Sequence, residues 1–257
     1  MVKMKKFVAL LLCLMLLLSS LSAAADSERA ENISQSAEKT NNPIEIAITV
    51  QERNGIAVQD FFFRRGVALE KGQVYSAEDI CLKENGRVIT SSAESLQKYD
   101  DGSICWLLVS GVTDLNADEC KTLVITNGAS AKSEAKFEQD SVRTTVTTDK
   151  FCLVFGPQGI ESIKYEEREQ LNGIPVNLYA TVNNKTYYLT VTEITELKNT
   201  SAYSKFKLKG RLNNEICGEM YVTIPRGAAR IQVDHRITVE NNFYIQSTGL
   251  TVGAAYN

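Results

Sequence analysis

The chain holds one histidine, His235, so any Ser-His-Asp or Cys-His nucleophilic arrangement would have to use it. His235 occupies an odd position in a stretch where Ile231, Val233, Ile237 and Val239 alternate with Gln232, Asp234, Arg236 and Thr238. A lone histidine on an apolar strand face is expected to be a core or domain-junction residue. No Gly-x-Ser-x-Gly nucleophile elbow accompanies it. A histidine-rich zinc site is excluded, and no Cys-x-x-Cys pair occurs. Paired carboxylates can hydrolyse glycosidic bonds, and the clusters here are Asp100/Asp101 and Glu166/Glu167/Glu169. Both fall in expected turns, where acidic residues serve turn geometry and solubility. Phosphate-cradling glycine loops and a calcium loop are absent. No catalytic residue, metal ligand or cofactor is therefore expected.

Aromatic platforms are a different kind of chemistry. A ring face packs on sugar C–H groups while polar neighbours bond the hydroxyls. Trp106 is the sole tryptophan, and its setting in Ile104-Cys105-Trp106-Leu107-Leu108-Val109 points to core packing. Phe61-Phe62-Phe63 is less ordinary: in a strand, Phe62 faces away from its neighbours, toward solvent or a domain junction. Tyr187-Tyr188 has the same geometry. Phe62 and Tyr188 are the candidate substrate-binding residues.

Strands must position these groups. Ile44, Ile46, Ile48 and Val50 alternate with polar or small residues, a period-2 pattern with one apolar face. Asn85-Gly86 is the strongest hairpin signal, and Asp101-Gly102, Asn127-Gly128, Asn183-Asn184 and Asn213-Asn214 mark further turns. Helical spacing is nearly absent beyond the N-terminus; only residues 166–171 could form one helical turn. The small, polar and charged stretch 129–136 separates two β blocks. The fold class is all-β, with strands and turns spaced as in a small barrel or sandwich.

The ends set the compartment. Lys3, Lys5 and Lys6, the apolar run 7–18 and Ser22-Ala23-Ala24-Ala25 read as a secretory signal peptide over residues 1–25. No other run approaches the ~20 apolar residues of a membrane helix, so no membrane contact is expected after cleavage. Residues 26–42, with Ile33 as the one large apolar side chain, read as a flexible linker. The formal charge is −3, and losing three lysines with the peptide takes it to −6. That balance argues against a nucleic-acid partner but leaves room for an acidic polysaccharide in a local basic groove. Of six cysteines, Cys13 leaves with the peptide; the other five, Cys81, Cys105, Cys120, Cys152 and Cys217, are odd in number and sit mostly in apolar patterns, so buried thiols with at most one or two bridges are expected.

Three segments carry a family resemblance. Arg65-Gly66-Val67-Ala68-Leu69-Glu70-Lys71-Gly72 looks like a Gly-Val-Pro-Phe-x-Lys-Gly segment, with Ala68 in place of proline. Tyr99-Asp100-Asp101-Gly102-Ser103-Ile104-Cys105-Trp106 looks like a Trp-x-Asp-Gly-Ser-Val-Lys-Trp motif, with Tyr99 and Cys105 as departures. Residues 227–250, with Arg230-Ile231-Gln232-Val233-Asp234-His235, are similar to a later segment. Over residues 43–257 the chain thus resembles the exo-rhamnogalacturonan lyase/YetA-like family. The resemblance implies an N-terminal RIFT-type small β-barrel over residues 43–133 and a central antiparallel β-sandwich, incomplete, over residues 137–257. It also implies a C-terminal α/α toroid that this chain lacks, and secreted or cell-envelope proteins acting on pectic rhamnogalacturonan.

The toroid would carry most of the cleft, so no catalytic residue transfers to this sequence. The expectation is a secreted, non-catalytic β portion of a polysaccharide-lyase-like protein that supports the substrate cleft. A stand-alone carbohydrate-binding module and a β-sandwich interaction or scaffold protein are the alternatives. An unfinished sandwich is also expected to expose apolar residues around residues 250–252 and to self-associate.

Overall fold

Alternating apolar residues need a second apolar face to bury against, and here they find it twice. The computed structural model describes residues 41–130, 135–140, 143–228, 230–241 and 244–254. The expected signal peptide, residues 1–25, and residues 26–40 of the expected linker lie outside them. Asn41 and Asn42 are held: the Asn41 Oδ1 accepts from the N–H groups of Tyr75 and Ser76, and the Asn42 N–H donates to the Gln73 carbonyl.

The first block comprises β1 (Glu45–Gln51), β2 (Val58–Ala68), β3 (Ile80–Glu84), β4 (Arg87–Val88), β5 (Ser91–Lys98), β6 (Ile104–Leu115) and β7 (Cys120–Asn127). The second comprises β8 (Lys136–Gln139), β9 (Thr144–Thr147), β10 (Phe151–Gly156), β11 (Gly159–Tyr165), β12 (Arg168–Glu169), β13 (Asn177–Val182), β14 (Lys185–Tyr188), β15 (Thr190–Asn199), β16 (Tyr203–Arg211), β17 (Ile216–Pro225), β18 (Gln232–Val239) and β19 (Ser247–Thr251). The fold is all-β, its ladders are antiparallel, and no helix occurs among the described residues.

The first block pairs as two sheets, β1-β7-β3-β4 and β2-β6-β5. They enclose one core, in which Ile48, Leu82, Ile104, Leu107, Leu123 and Ile125 are buried. The small barrel expected here is not closed: β1 and β2 are both sheet edges that no ladder joins. The Asn85-Gly86 hairpin is as expected, with both residues at positive φ as a type I′ turn requires.

The second block has three sheets, β12-β11-β10-β9-β8, β14-β13-β19 and β15-β16-β17-β18. Residues from all three share one core, which gives the block sandwich character. Phe155 of the first sheet meets Phe206 of the third at 5.3 Å between ring centroids. Residues 166–171 form no helical turn. Glu166 and Glu167 take positive φ at the tip of the β11–β12 hairpin, where Tyr165 pairs with Arg168. The five cysteines Cys81, Cys105, Cys120, Cys152 and Cys217 are all free thiols, so no bridge staples either block.

Within the unit 41–257 a polar junction joins the blocks. The Tyr203 hydroxyl donates to the Glu94 carboxylate at 2.5 Å, Lys198 pairs with Glu94 at 2.8 Å, and Lys150 pairs with Asp60 at 2.5 Å. The Ser201 hydroxyl donates to the Ser91 carbonyl. Burial, then the Glu94 carboxylate, push the Tyr203 hydroxyl well above its ordinary value, so it stays a donor. For Glu94, desolvation acts upward, but hydrogen bonds from Lys198 and Tyr203 outweigh it and hold the group below the ordinary 4.5. The stability contributed by ionised Glu94 is therefore full above that ordinary value and is lost as pH falls through the lowered folded value. The urea midpoint is expected to fall between neutrality and about pH 3, and Glu94→Gln to flatten part of that fall. An identical acid limb in the variant would show that the junction does not depend on this charge.

Candidate functional site

Of the groups that could have done acid–base chemistry, Asp100, Asp101 and Glu169 are engaged in structure. His235 lies exposed on β18, an edge strand, opposite Met220. The expected core or junction position is not the observed one: His235 is exposed on the edge strand, while Val233 and Ile237 beside it pack on the core. The Asp101 Oδ1 accepts from the Ser103 N–H and hydroxyl at 2.9 and 2.6 Å, and Asp100 pairs with Lys71 at 2.5 Å. Glu169 accepts from the N–H groups of Ile163, Gln170 and Leu171 and from the Ser162 hydroxyl. No group of three or more metal-ligating side chains occurs among the described residues.

The first two resemblance segments meet. The Leu69 N–H donates to the Cys105 carbonyl, the Tyr99 hydroxyl to the Leu69 carbonyl, and the Gly72 N–H to the Ser103 hydroxyl. The Asp-Gly-Ser turn thus clamps the 69–74 loop, a positioning role that needs no substrate. Trp106 is not in the core; it is 44% exposed and lies over Gly66. The cause is a register shift between Gln97 and Lys98 that leaves Cys105 as an extra residue in β6. Ile104 and Leu107 therefore both point inward, and Trp106 points out.

Phe62 and Tyr188 do not come together. Phe62 is half-buried at the block junction, its ring 5.7 Å from that of Tyr203 and tilted by 57°. Tyr188 is 52% exposed and lines an open groove of about 550 Å³. Ile174, Leu189, Pro157 and Pro175 give this groove apolar surface; Gln158, Asn177, Thr190 and Thr251 give it polar groups. It runs on past Pro157 and Gln158 into a second hollow, where Arg143 pairs with Glu161 at 2.8 Å.

Local chemistry builds this groove. Asn183 and Asn184, both at positive φ, turn β13 into β14 and bring Tyr188 opposite Tyr179. Leu189 is then buried, its N–H donating to the Leu178 carbonyl, which leaves Tyr188 facing out. The Asn177 Nδ2 donates to the Leu189 carbonyl at 3.1 Å and fixes the step from β14 to β15. The Val191 N–H donates to the Pro157 carbonyl and draws in the opposite wall. Gly159, at φ +93°, lets that wall approach: a Cβ there would lie 2.4 Å from the Val176 carbonyl oxygen.

The groove floor holds one unexplained group. Asn177 is 6% exposed, and its Oδ1 has no hydrogen-bond partner in the structure. A buried acceptor without a partner is uncommon and costs about 1–3 kcal/mol. Sequence reasoning found Tyr188 but missed Asn177, Ile174 and Gln158. Asn177 at the start of an otherwise apolar strand was the available signal, since a buried amide there needs partners.

The chain matches no protein-family model and no curated protein.

Proposed function

We propose that the chain is a secreted, non-catalytic glycan-binding protein whose ligand lies in the Tyr188 groove. The observation that carries this reading is the exposed Tyr188 ring beside the unpartnered Asn177 Oδ1. A sugar could stack on the ring and donate a hydroxyl toward the amide oxygen after a small opening of the floor. Pro157, Pro175 and Ile174 would exclude water from the other face, with Gln158, Thr190 and Thr251 supplying further hydrogen bonds.

With the family resemblance, we read the chain as the N-terminal β portion of a polysaccharide-lyase-like protein. Its open first block is read as a RIFT-type unit and its second as the central sandwich. The ligand class is then an acidic pectic polysaccharide of the rhamnogalacturonan kind, and a helical toroid would supply the chemistry. The non-catalytic part of the proposal rests on the engaged carboxylates and the exposed, isolated His235.

Calorimetric titration with rhamnogalacturonan oligosaccharides, and with neutral gluco- and manno-oligosaccharides, tests it. Saturable heat with the pectic series is expected, with no rise in unsaturated-uronate absorbance. Silence across the whole panel would remove the glycan reading, and an absorbance rise would overturn the non-catalytic one.

A further inference from the structure

Where β1 and β2 fail to pair, a slit of about 350 Å³ opens between the two sheet edges. Thr49, Val50, Gln51 and Arg53 form one side; Phe61, Phe63, Arg64 and Arg65 form the other. We propose that this slit is an oxyanion-binding site in which Arg53, Arg65 and Arg230 receive a carboxylate, sulfate or phosphate group. The site is separate from the Tyr188 groove and does not rest on the glycan reading.

Three observations carry it. First, the cations have no counter-charge: Arg53, Arg65 and Arg230 form no ion pair among the described residues. Elsewhere Arg143 and Arg211 do pair, with Glu161 and Glu240. Arg87, Arg168 and Arg236 are likewise without an ion pair among the described residues, so what marks Arg53, Arg65 and Arg230 is their place beside the slit. Second, Glu52 and Asp60, acids near Arg53 and Arg65 in sequence, are engaged with other partners. Glu52 accepts from the N–H groups of Asn54, Ile56 and Asp118, and Asp60 pairs with Lys150.

Third, the cations are positioned. Arg65 lies two and four residues from Phe63 and Phe61 and shares their side of β2. The Arg53 Nε donates to the Gln51 Oε1 at 3.1 Å. The Arg230 guanidinium sits 4.9 Å from the Phe61 ring centroid and donates to the Phe62 carbonyl. Burial lowers the Arg230 pKa and no carboxylate offsets it. Arg64 also lines the slit, but its guanidinium lies 5.2 Å from the Tyr203 ring centroid and donates to the Tyr203 hydroxyl, so it serves the junction as well. Guanidinium forks match the paired oxygens of an oxyanion, and the free edges of β1 and β2 add backbone donors.

The test is a side-chain Nε–H NMR titration with sodium galacturonate, sulfate and phosphate, against chloride at equal ionic strength. Saturable shifts are expected at Arg53, Arg65 and Arg230, with Arg211 unmoved. The anion that saturates at the lowest concentration identifies the source, a uronate or an inorganic or esterified anion. The R53A/R65A variant is expected to weaken binding about tenfold or more, the loss of two charge-assisted hydrogen bonds. Both side chains are exposed and neither bonds the core, and R53K/R65K, which keeps charge without the fork, should fall between. Tyr188→Ala should leave these shifts unchanged. Linear shifts equal to those in chloride, or full binding by R53A/R65A, would overturn the site.

Discussion

Replacing Gly210 with alanine is expected to unfold the second block or to lower its urea midpoint by more than any other single-methyl addition. A Cβ at residue 210 would stand 1.9 Å from the Thr190 carbonyl oxygen, 2.7 Å from its carbon and 3.0 Å from the Val191 Cα. These are backbone atoms, so no rotamer change relieves the contact. β15 already carries a register shift between Val191 and Glu193, and Val191 is tied to Pro157. Relief therefore means breaking the β15–β16 ladder and moving the wall of the Tyr188 groove. The cost should exceed the about 1–3 kcal/mol of ordinary overpacking, within a total stability of about 5–15 kcal/mol. Gly86→Ala is the contrast. Its Cβ would meet nothing within 4 Å, so only the positive φ of +78° opposes it, at about 1–2 kcal/mol. Equal midpoints for the two variants would show that the close approach at Gly210 is not what holds β15 in place.

Tyr188→Ala is expected to abolish most glycan affinity and leave the fold untouched. The ring is 52% exposed on β14, the outer strand of its sheet, so its removal should change stability by about 0.5 kcal/mol or less. Covering the ring with a sugar buries aromatic surface worth about 1.5–3 kcal/mol, which is about ten- to a hundredfold in affinity. Tyr188→Phe should retain most of it. Phe62→Ala should do the opposite: its ring packs on Tyr203, so the junction weakens while affinity stays. Calorimetry for binding and urea melts for stability separate the two roles. Loss of affinity in Phe62→Ala alone would move the ligand to the block junction.

Local chemistry was readable and long-range pairing was not. Asn85-Gly86 and Asn183-Asn184 announce hairpins because two consecutive residues at positive φ suit few other side chains. The two-block division follows from turn spacing, and each block has its own core. The open first block could not be read, because β1 and β2, though consecutive, take their partners β7 and β6 from far along the chain. Trp106 was assigned to the core from its continuous apolar run, and His235 to an apolar face by counting in twos. One extra residue at Cys105 turns Trp106 outward instead. For His235 the count holds for its neighbours, but β18 is an edge strand and leaves it exposed. Tyr188 was visible as an outward aromatic. The rest of its groove comes from the segments around Pro157, Ile174 and Thr251, which share no periodicity. Val252 is 64% exposed, while Leu250, two residues before it, packs on the core.

The most direct test locates the ligand. Backbone amide shifts of the labelled protein should be followed through a titration with a rhamnogalacturonan oligosaccharide. Saturable changes are predicted at Gln158, Asn177, Tyr188, Leu189, Thr190 and Thr251, together with the Asn177 side-chain amide. Changes absent from these residues, or confined to the block junction around Phe62 and Tyr203, would contradict the account.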